Sequence, residues 1–140
     1  MIKYSRLPQN IEENLPKAEA YLKSRPEVNF AYLFGSLAKG KPLPLSDVDI
    51  AVYLSKSLDV LEKKLEILGE LVDILETDEI DLVILNEAPL ALRMKILENK
   101  KLIVDNAPSL RHRYESLTMR EYFDFSIKEM AILERKFLSG

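Results

Sequence analysis

The sequence predicts an α/β domain in which a small mixed β-sheet is flanked by helices and followed by a long C-terminal helix. Three mainly apolar segments, at residues 28–34, 47–54 and 80–85, have the length and composition of strands. Segments with apolar residues at helical spacing alternate with them. With 140 residues, 47% of them hydrophobic and 31% charged, the chain is expected to form one globular domain, residues 1–140.

The first helix is expected over residues 10–24, because apolar residues recur there at helical spacing between two prolines. Its apolar positions are Ile11, Leu15, Ala18 and Leu22. The next segment, residues 28–34, is almost wholly apolar, which is typical of a strand covered on both faces. Gly35 is expected to end this strand, and a brief helix is expected to begin near Ser36.

A proline-containing turn is expected over residues 41–45, since prolines remove hydrogen-bond donors and restrict their neighbours. The second strand follows from Asp47 to Leu54 and carries its apolar residues on one face. The clearest helix is predicted over residues 57–76 and is expected to pack on the sheet. Its predicted apolar stripe consists of Leu58, Leu61, Leu65, Leu68, Val72 and Leu75.

The third strand is predicted from Ile80 to Leu85. Pro89 fits the first position of a helix over residues 88–98, because proline there loses no helical hydrogen bond. Residues 101–104 are expected to form a short edge strand. Asn106 is a candidate N-cap for a C-terminal helical region over about residues 106–137, as one long helix or two end to end.

The C-terminal region holds five of the eleven Phe and Tyr residues of the chain. These residues are Tyr114, Tyr122, Phe123, Phe125 and Phe137. Tyr122 and Phe125 lie on a different side of the predicted helix from a stripe formed by Met119, Phe123, Met130 and Leu133. Two interpretations remain open: the domain packs on both sides of this helix, or one side binds a partner.

The chemistry of the sequence is concentrated around a glycine turn and two carboxylates. Gly35 and Ser36 follow the first strand, and Asp47 and Asp49 open the second. Residues two apart in a strand point the same way, so the two carboxylates share a face and repel each other unless a cation lies between them. Hard oxygen ligands suit Mg²⁺, which is commonly bound by a few carboxylates and substrate phosphates. Backbone N–H groups near Gly35 and Ser36 are candidates for holding phosphate.

These residues carry a resemblance to a known family. The pattern Gly35-Ser36, ten residues, Asp47-x-Asp49 resembles the DNA polymerase β-type nucleotidyltransferases, and Ser46 with the short chain resembles their minimal nucleotidyltransferase branch. Asp81 stands where that family places a third carboxylate; the alternative for Asp81 is a paired buried acid in an apolar strand. The similarity extends over roughly residues 15–125 and implies the nucleotidyltransferase fold.

The resemblance also implies a reaction. In the family, an acceptor hydroxyl attacks the α-phosphorus of a nucleoside triphosphate and pyrophosphate leaves. By resemblance, Asp47, Asp49 and Asp81 would bind two Mg²⁺ ions, for which Mn²⁺ is an expected substitute, and Asp81 would help to deprotonate the acceptor. Gly35 and Ser36 would hold the β- and γ-phosphates. Lys39 stands where relatives often carry Arg, and it keeps the charge without the bidentate geometry.

The minimal branch further implies a partner. Its members are usually encoded beside a helical HEPN-type RNase toxin and act as its antitoxin, and the acceptor resembles a tyrosine of that toxin, with ATP as the usual nucleotide. The resemblance therefore implies an AMP-transferring antitoxin in a hetero-oligomer with the toxin. Two alternatives stay open: an antitoxin that acts by binding alone, and nucleotidyl transfer to a small molecule.

Composition limits the remaining classes of protein. The net charge of −3 argues against a general nucleic-acid binder, which usually carries a basic surface. No apolar run approaches the ~20 residues of a membrane span. The first six residues lack the apolar core of a signal peptide, and the chain has no cysteine. A cytoplasmic location is therefore expected.

Overall fold

The computed structural model describes residues 10–38, 47–56 and 59–138, with side chains as far as residue 136. Within these ranges the chain forms α1 (Ile11–Ser24), β1 (Val28–Phe34), α2 (Gly35–Ala38), β2 (Val48–Leu54), α3 (Val60–Leu75), β3 (Ile80–Ile84), α4 (Leu90–Glu98), β4 (Lys101–Asp105) and α5 (Pro108–Leu138). The predicted α/β class and the long C-terminal helix are confirmed. The predicted proline turn at residues 41–45 lies outside the described residues.

The four described strands form a mixed sheet in the order β3-β2-β1-β4. Strand β1 pairs antiparallel with both β2 and β4, and β2 pairs parallel with β3. The central position of β1 explains why its sequence is apolar on both faces, since helices cover each side. Strand β4 lies at an edge, as its sequence predicts.

Two apolar clusters lie on the two faces of the sheet. The first face packs against α1 and α3 through Leu22, Ile67 and Leu71. The second face packs against α4 and α5 through Ile96 and Tyr114. Strand β2 divides its side chains between the faces, so that Val48, Ile50, Val52 and Leu54 belong to the first cluster, as predicted.

The buried stripe of α3 differs from the predicted one. Ile67, Leu71 and Leu75 are buried, whereas Leu61 and Leu65 remain 65% and 60% exposed. The helix therefore presents a face rotated from the leucine repeat. The helix carries two apolar stripes, and only one of them packs on the sheet. The periodicity of the sequence alone does not reveal which one. The predicted packing of α3 on the sheet is confirmed, but Leu61 and Leu65 are wrong as core residues.

Two helix starts also differ from their predicted positions. Pro89 is the N-cap of α4 and not its first helical residue. Helix α5 begins at Pro108, since the side chain of Asn106 donates instead to the backbone oxygens of Lys23 and Val28, at 3.1 and 3.0 Å. Asn106 thus ties α5 to the end of α1 and the start of β1. The C-terminal region is one continuous helix of 31 residues.

None of the helices in the described ranges is both long enough and apolar enough to cross a membrane.

Candidate functional site

The candidate site lies at the end of the sheet where β1 stops and β2 and β3 begin. Phe34 pairs with Asp49 across β1 and β2, and Asp49 pairs with Asp81 across β2 and β3. Neighbouring strands are about 4.8 Å apart, so the two aspartates occupy adjacent positions in one row. The register therefore brings together two of the three carboxylates that the sequence singles out.

These carboxylates share the second face of the sheet. Their strand neighbours, Val48 and Ile50 on β2 and Ile80 and Leu82 on β3, pack into the first-face cluster. Because side chains alternate along a strand, Asp49 and Asp81 point to the opposite face. Asp49 is half-buried, and Asp81 is exposed. Asp47 lies just before β2, is exposed, and by the same alternation is on the side of Asp49.

Gly35 lies directly against the carboxylate of Asp49. Its φ angle is +75°, a conformation that favours glycine. A Cβ atom at this position would lie 2.2 Å from Oδ2 of Asp49 and 3.2 Å from its Cγ. The missing side chain therefore leaves room for the carboxylate directly over the turn. The sequence predicts the glycine turn, but this contact with Asp49 depends on strand pairing and could not be predicted from it.

Ser36 follows in α2, where it is half-buried. Because α2 has only four residues, little helix dipole is available, and a phosphate contact there would depend on free backbone N–H groups. Lys39, the third predicted phosphate contact, lies outside the described residues.

The donor chemistry of the site suits a hard divalent cation. Within the described part of the chain, no three Asp, Glu, His or Cys side chains are gathered as a set of metal ligands. The backbone register places Asp49 and Asp81 at adjacent positions, and their carboxylate oxygens are of the type that Mg²⁺ prefers. The residues thus fit Mg²⁺ by ligand type.

Two basic residues near the second face are engaged in ion pairs. The guanidinium of Arg93 donates to Thr118 at 3.3 Å and to Glu121 at 3.2 Å, which joins α4 to α5. Arg111 donates to both carboxylate oxygens of Asp105, at 2.9 and 3.2 Å, and to Glu115 at 3.2 Å. These contacts hold the helices against the sheet, and neither residue is placed as a phosphate ligand by them.

Glu115 is the centre of the second of these networks. The Tyr32 hydroxyl and the Lys100 ammonium group each donate to its Oε2 at 2.6 Å. Burial would raise the pKa of this carboxyl, but the hydrogen bonds from Lys100 and Tyr32 and the charge of Arg111 outweigh burial and hold the pKa below its ordinary value. The network fixes the first half of α5 to β1.

The second half of α5 has a different environment. From Tyr122 to residue 136 every side chain is exposed, and Tyr122 and Phe125 are 36% and 48% exposed. The exposed large apolar residues of α5 are Leu117, Met119, Tyr122, Phe123, Phe125, Ile127, Met130, Ile132 and Leu133. The interpretation that the domain packs on both sides of this part of the helix is therefore wrong. Phe137 lies where side chains are not described.

The sheet is mixed, has helices on both faces, and ends in an acidic row with a glycine turn against one of the acids. These features together define a nucleotidyltransferase fold. The family described as Polymerase beta, Nucleotidyltransferase matches residues 16–109. The chain therefore belongs to the polymerase β-type nucleotidyltransferase family. No curated protein is significantly similar to the chain in sequence.

Solved structures refine this placement. A chain of a toxin–antitoxin complex with AMP-PNP is 25% identical, with 88% of this chain and 95% of that chain covered and a TM-score of 0.68. A chain of a substituted MntA–HpeT toxin–antitoxin complex is also 25% identical, with coverages of 88% and 94% and a TM-score of 0.66. A chain of a Shewanella oneidensis complex, between a tri-AMPylated HEPN toxin and its MNT antitoxin, is 24% identical, with coverages of 90% and 95% and a TM-score of 0.63. The chain thus resembles minimal nucleotidyltransferases of toxin–antitoxin systems.

Proposed function

We propose that this protein is an antitoxin that transfers AMP from ATP to a tyrosine of a cognate HEPN-type RNase toxin. The observation that carries the proposal is the row of Asp49 and Asp81 above a glycine that leaves room for a carboxylate, in a member of a nucleotidyltransferase family. An AMP-PNP-bound relative supports the nucleotide, and the tri-AMPylated toxin of the Shewanella oneidensis complex supports the type of transfer.

In the proposed site, Asp47, Asp49 and Asp81 hold Mg²⁺, with Mn²⁺ as a substitute. Two such ions, when bound, stabilise the attacking and leaving oxygens of the displacement. Backbone N–H groups near Gly35 and Ser36 hold the β- and γ-phosphates, and Lys39 contributes charge to them. The cations held by these carboxylates would balance the negative charge of the triphosphate.

The proposed reaction forms one bond and breaks one. The tyrosine oxygen bonds to the α-phosphorus, and the bond from that phosphorus to the oxygen bridging the β-phosphate breaks, so that pyrophosphate leaves. A tyrosine hydroxyl has an unperturbed pKa of about 10, so its proton has to be taken up at neutral pH. Asp81 is the proposed acceptor of this proton. AMP on the toxin would add charge and bulk near its RNase site.

The proposed partner surface is the second half of α5. Relatives of 25% identity are crystallised as toxin–antitoxin complexes, which supports a HEPN toxin as the occupant of this helix. Interfaces favour Tyr, Phe and Met, and the exposed part of α5 carries all three. Formation of a hetero-oligomer with the toxin is proposed on this basis, together with a cytoplasmic location, where ATP is available.

A second candidate, an antitoxin that acts by binding alone, is favoured by one observation. Most of the exposed apolar residues of α5, from Tyr122 onward, lie beyond the part of the helix that packs on the domain, so binding does not require the acidic site. The two candidates differ in whether the toxin is chemically changed, which makes them separable by one experiment.

The test is to incubate the protein and its toxin with ATP labelled at the α- or the γ-phosphate and Mg²⁺. We expect the α-label on the toxin and the γ-label in pyrophosphate, and intact mass spectrometry of the toxin should show whole AMP units. Label from the γ-phosphate on protein would indicate a kinase. Calorimetry should in parallel show Mg²⁺- or Mn²⁺-dependent binding of ATP, which the Asp47→Asn/Asp49→Asn variant should lose.

A further inference from the structure

Helix α5 carries an exposed row of side chains with the spacing of a coiled-coil seam. The row advances by alternating steps of four and three residues, through Met119, Phe123, Ser126, Met130 and Leu133. Such steps keep side chains on one side of a helix, where a second helix can pack against them. The four apolar members are 49–64% exposed, so their own domain does not cover them. We call these five residues the seam.

The apolar residues of this part of α5 extend further round the helix than one neighbouring helix would cover. At 3.6 residues per turn, Phe125 and Ile132 lie about 120–140° round the axis from the middle of the seam. A helix that packs on a single neighbour usually presents an apolar stripe little more than ~100° wide. Phe125 and Ile132 are also exposed, at 48% and 61%. The helix therefore has room for two separate contacts, of which the proposed toxin accounts for one.

The charges beside the seam are complementary to a second copy of the same helix running in the opposite direction. Arg120 and Glu134 flank the seam on one side, with Ile127 midway between them. Both charged side chains are exposed, and within the described part of the chain neither takes part in an ion pair. Antiparallel pairing about Ile127 would place Arg120 of each copy against Glu134 of the other, which makes two ion pairs. On the other flank, Glu129 would meet its own copy once.

A parallel pair of the same helices would be opposed by these charges. In a parallel coiled coil the two different flanks of the seam face each other, so Glu129 of each copy would meet Glu134 of the other. Ser126 would also lie opposite Ser126 within the seam. Antiparallel pairing instead sets the small Ser126 opposite the long side chain of Met130. Charge and side-chain size therefore both favour the antiparallel arrangement.

The position of the domain along α5 agrees with that arrangement. Thr118 is the last buried residue of α5 among the described side chains. In an antiparallel pairing about Ile127, Thr118 of one copy would lie opposite the end of the other helix, near Leu138. The part of α5 that each domain buries, residues 108–118, would thus lie outside the paired segment, with the two domains at its opposite ends.

We propose that the seam of α5 binds a second copy of this chain in an antiparallel helix pair. The side of α5 that carries Phe125 and Ile132 is left for the toxin. This inference does not depend on the proposed function, because the contact between copies involves neither nucleotide nor toxin.

The first test is sedimentation equilibrium of the full chain over a range of concentrations, without toxin or nucleotide. Wild type should form a dimer, and Phe123→Ala/Met130→Ala should dimerise at least about 10-fold more weakly, as for aromatic residues at interface centres. Phe125→Ala/Ile132→Ala is the matched control, because it removes comparable exposed area from another side of the same helix. The control should dimerise as wild type does, and thermal melts should show that both variants remain folded.

The second test reverses the flanking charges. Arg120→Glu and Glu134→Arg should each weaken the dimer about 3–10-fold, because each replaces two exposed ion pairs by two like-charge contacts. The double exchange Arg120→Glu/Glu134→Arg should restore wild-type affinity. Positions 120 and 134 are about 21 Å apart along one helix, so only contact between copies explains such a recovery.

Three results would overturn the inference. A chain that sediments as a monomer at every concentration would leave the seam to the proposed toxin. Equal weakening by the two alanine pairs, or no weakening by the seam pair, would place the contact between copies elsewhere. A double exchange that dimerises no better than the single reversals would exclude the antiparallel pairing of Arg120 with Glu134.

Discussion

Two regions of the molecule differ in opposite ways from the usual pattern of buried apolar and exposed charged residues. The acidic end of the sheet partly buries charge, and the second half of α5 exposes apolar side chains. At the sheet end, charged Asp49 lies half-buried in an otherwise apolar strand beside Asp81. On α5, large apolar side chains such as Phe123 and Met130 face solvent. Like charges repel across neighbouring strands, and apolar surface prefers burial.

The comparison indicates which kind of ligand would suit each region. A divalent cation relieves repulsion among carboxylates, and a protein partner covers apolar surface. The two proposed ligands differ in size and chemistry, and the residues proposed to meet them are in separate elements. Catalysis and partner binding should therefore be separable by substitution, and the following predictions are ordered by the size of the expected effect.

The largest effect is expected from Asp47→Asn/Asp49→Asn. Loss of two cation ligands should reduce AMP transfer by more than about 100-fold, since even groups that only support metal ligands contribute 10–100-fold. The protein should remain folded, because the changes remove like charges from adjacent positions. The measurement is AMP incorporation into the toxin with a parallel pull-down, in which toxin binding should persist.

The same variant decides between the two proposed functions. In cells that express the toxin, it should fail to restore growth, because the toxin is bound but not modified. Full restoration of growth would contradict the enzymatic antitoxin and favour the binding antitoxin.

The next effect is expected from Gly35→Ala, which tests the geometry of the acidic end directly. The added Cβ would lie 2.2 Å from Asp49 Oδ2, at a φ of +75°. We expect a loss of about 1–3 kcal/mol in the free energy of unfolding from backbone strain, and a reduction of transfer by displacement of Asp49. Denaturant unfolding and the transfer assay measure the two effects.

Gly69→Ala is the matched control for that substitution. Gly69 lies in α3 with nothing within 4 Å of an added Cβ, so alanine there should stabilise the protein by about 0.5–1 kcal/mol. Equal stability changes at Gly35 and Gly69 would show that the contact with Asp49 has no consequence.

A smaller effect is expected from Tyr122→Ala/Phe125→Ala, which tests the second half of α5 as a partner surface. Because both side chains are exposed, stability should change little, and the cost of ~3–5 kcal/mol typical of a buried aromatic should not appear. Affinity for the toxin should fall roughly 10-fold or more, as for aromatic residues at interface centres. Isothermal titration with the toxin and a thermal melt are the measurements.

Leu61→Ala/Leu65→Ala is the control for exposed apolar area. These leucines are 65% and 60% exposed but lie on α3, away from α5. Their replacement should leave toxin affinity unchanged. An equal loss of affinity in both double variants would mean that α5 is not the specific docking surface.

The smallest effect is expected from Glu115→Gln, which weakens the contacts between the first half of α5 and the rest of the domain. The variant should lose about 1–2 kcal/mol in the free energy of unfolding at pH 7, because Lys100 and Arg111 lose their charged acceptor. The folded-state pKa of Glu115 lies below its ordinary value, so this stability is present above the unfolded pKa of about 4.3. It is lost as pH falls through the folded pKa.

The pH dependence provides the check on that prediction. Denaturant unfolding of wild type and Glu115→Gln should show a difference at pH 7 that narrows below about pH 4.3. A difference that stays constant to pH 2 would show that the ionised carboxylate contributes nothing.

The sequence by itself determined the class of fold, the strands and the residues to examine, because these depend on local order. Apolar runs and helical spacing are properties of neighbours in the chain, and they predicted β1, β2, β3 and the long α5 correctly. The spacing of Gly35, Ser36, Asp47 and Asp49 likewise indicated the family whose match covers residues 16–109. The roles of these residues stay predictions.

Only the tertiary structure decided how distant segments meet. The pairing of Asp49 with Asp81 and the contact between Gly35 and Asp49 both depend on strand register. The packing of apolar surfaces on the sheet decides which side of α3 is buried. It also decides where along α5 the contacts with the rest of the domain end. Periodicity records which side chains could be buried, whereas the packed sheet has room for only some of them.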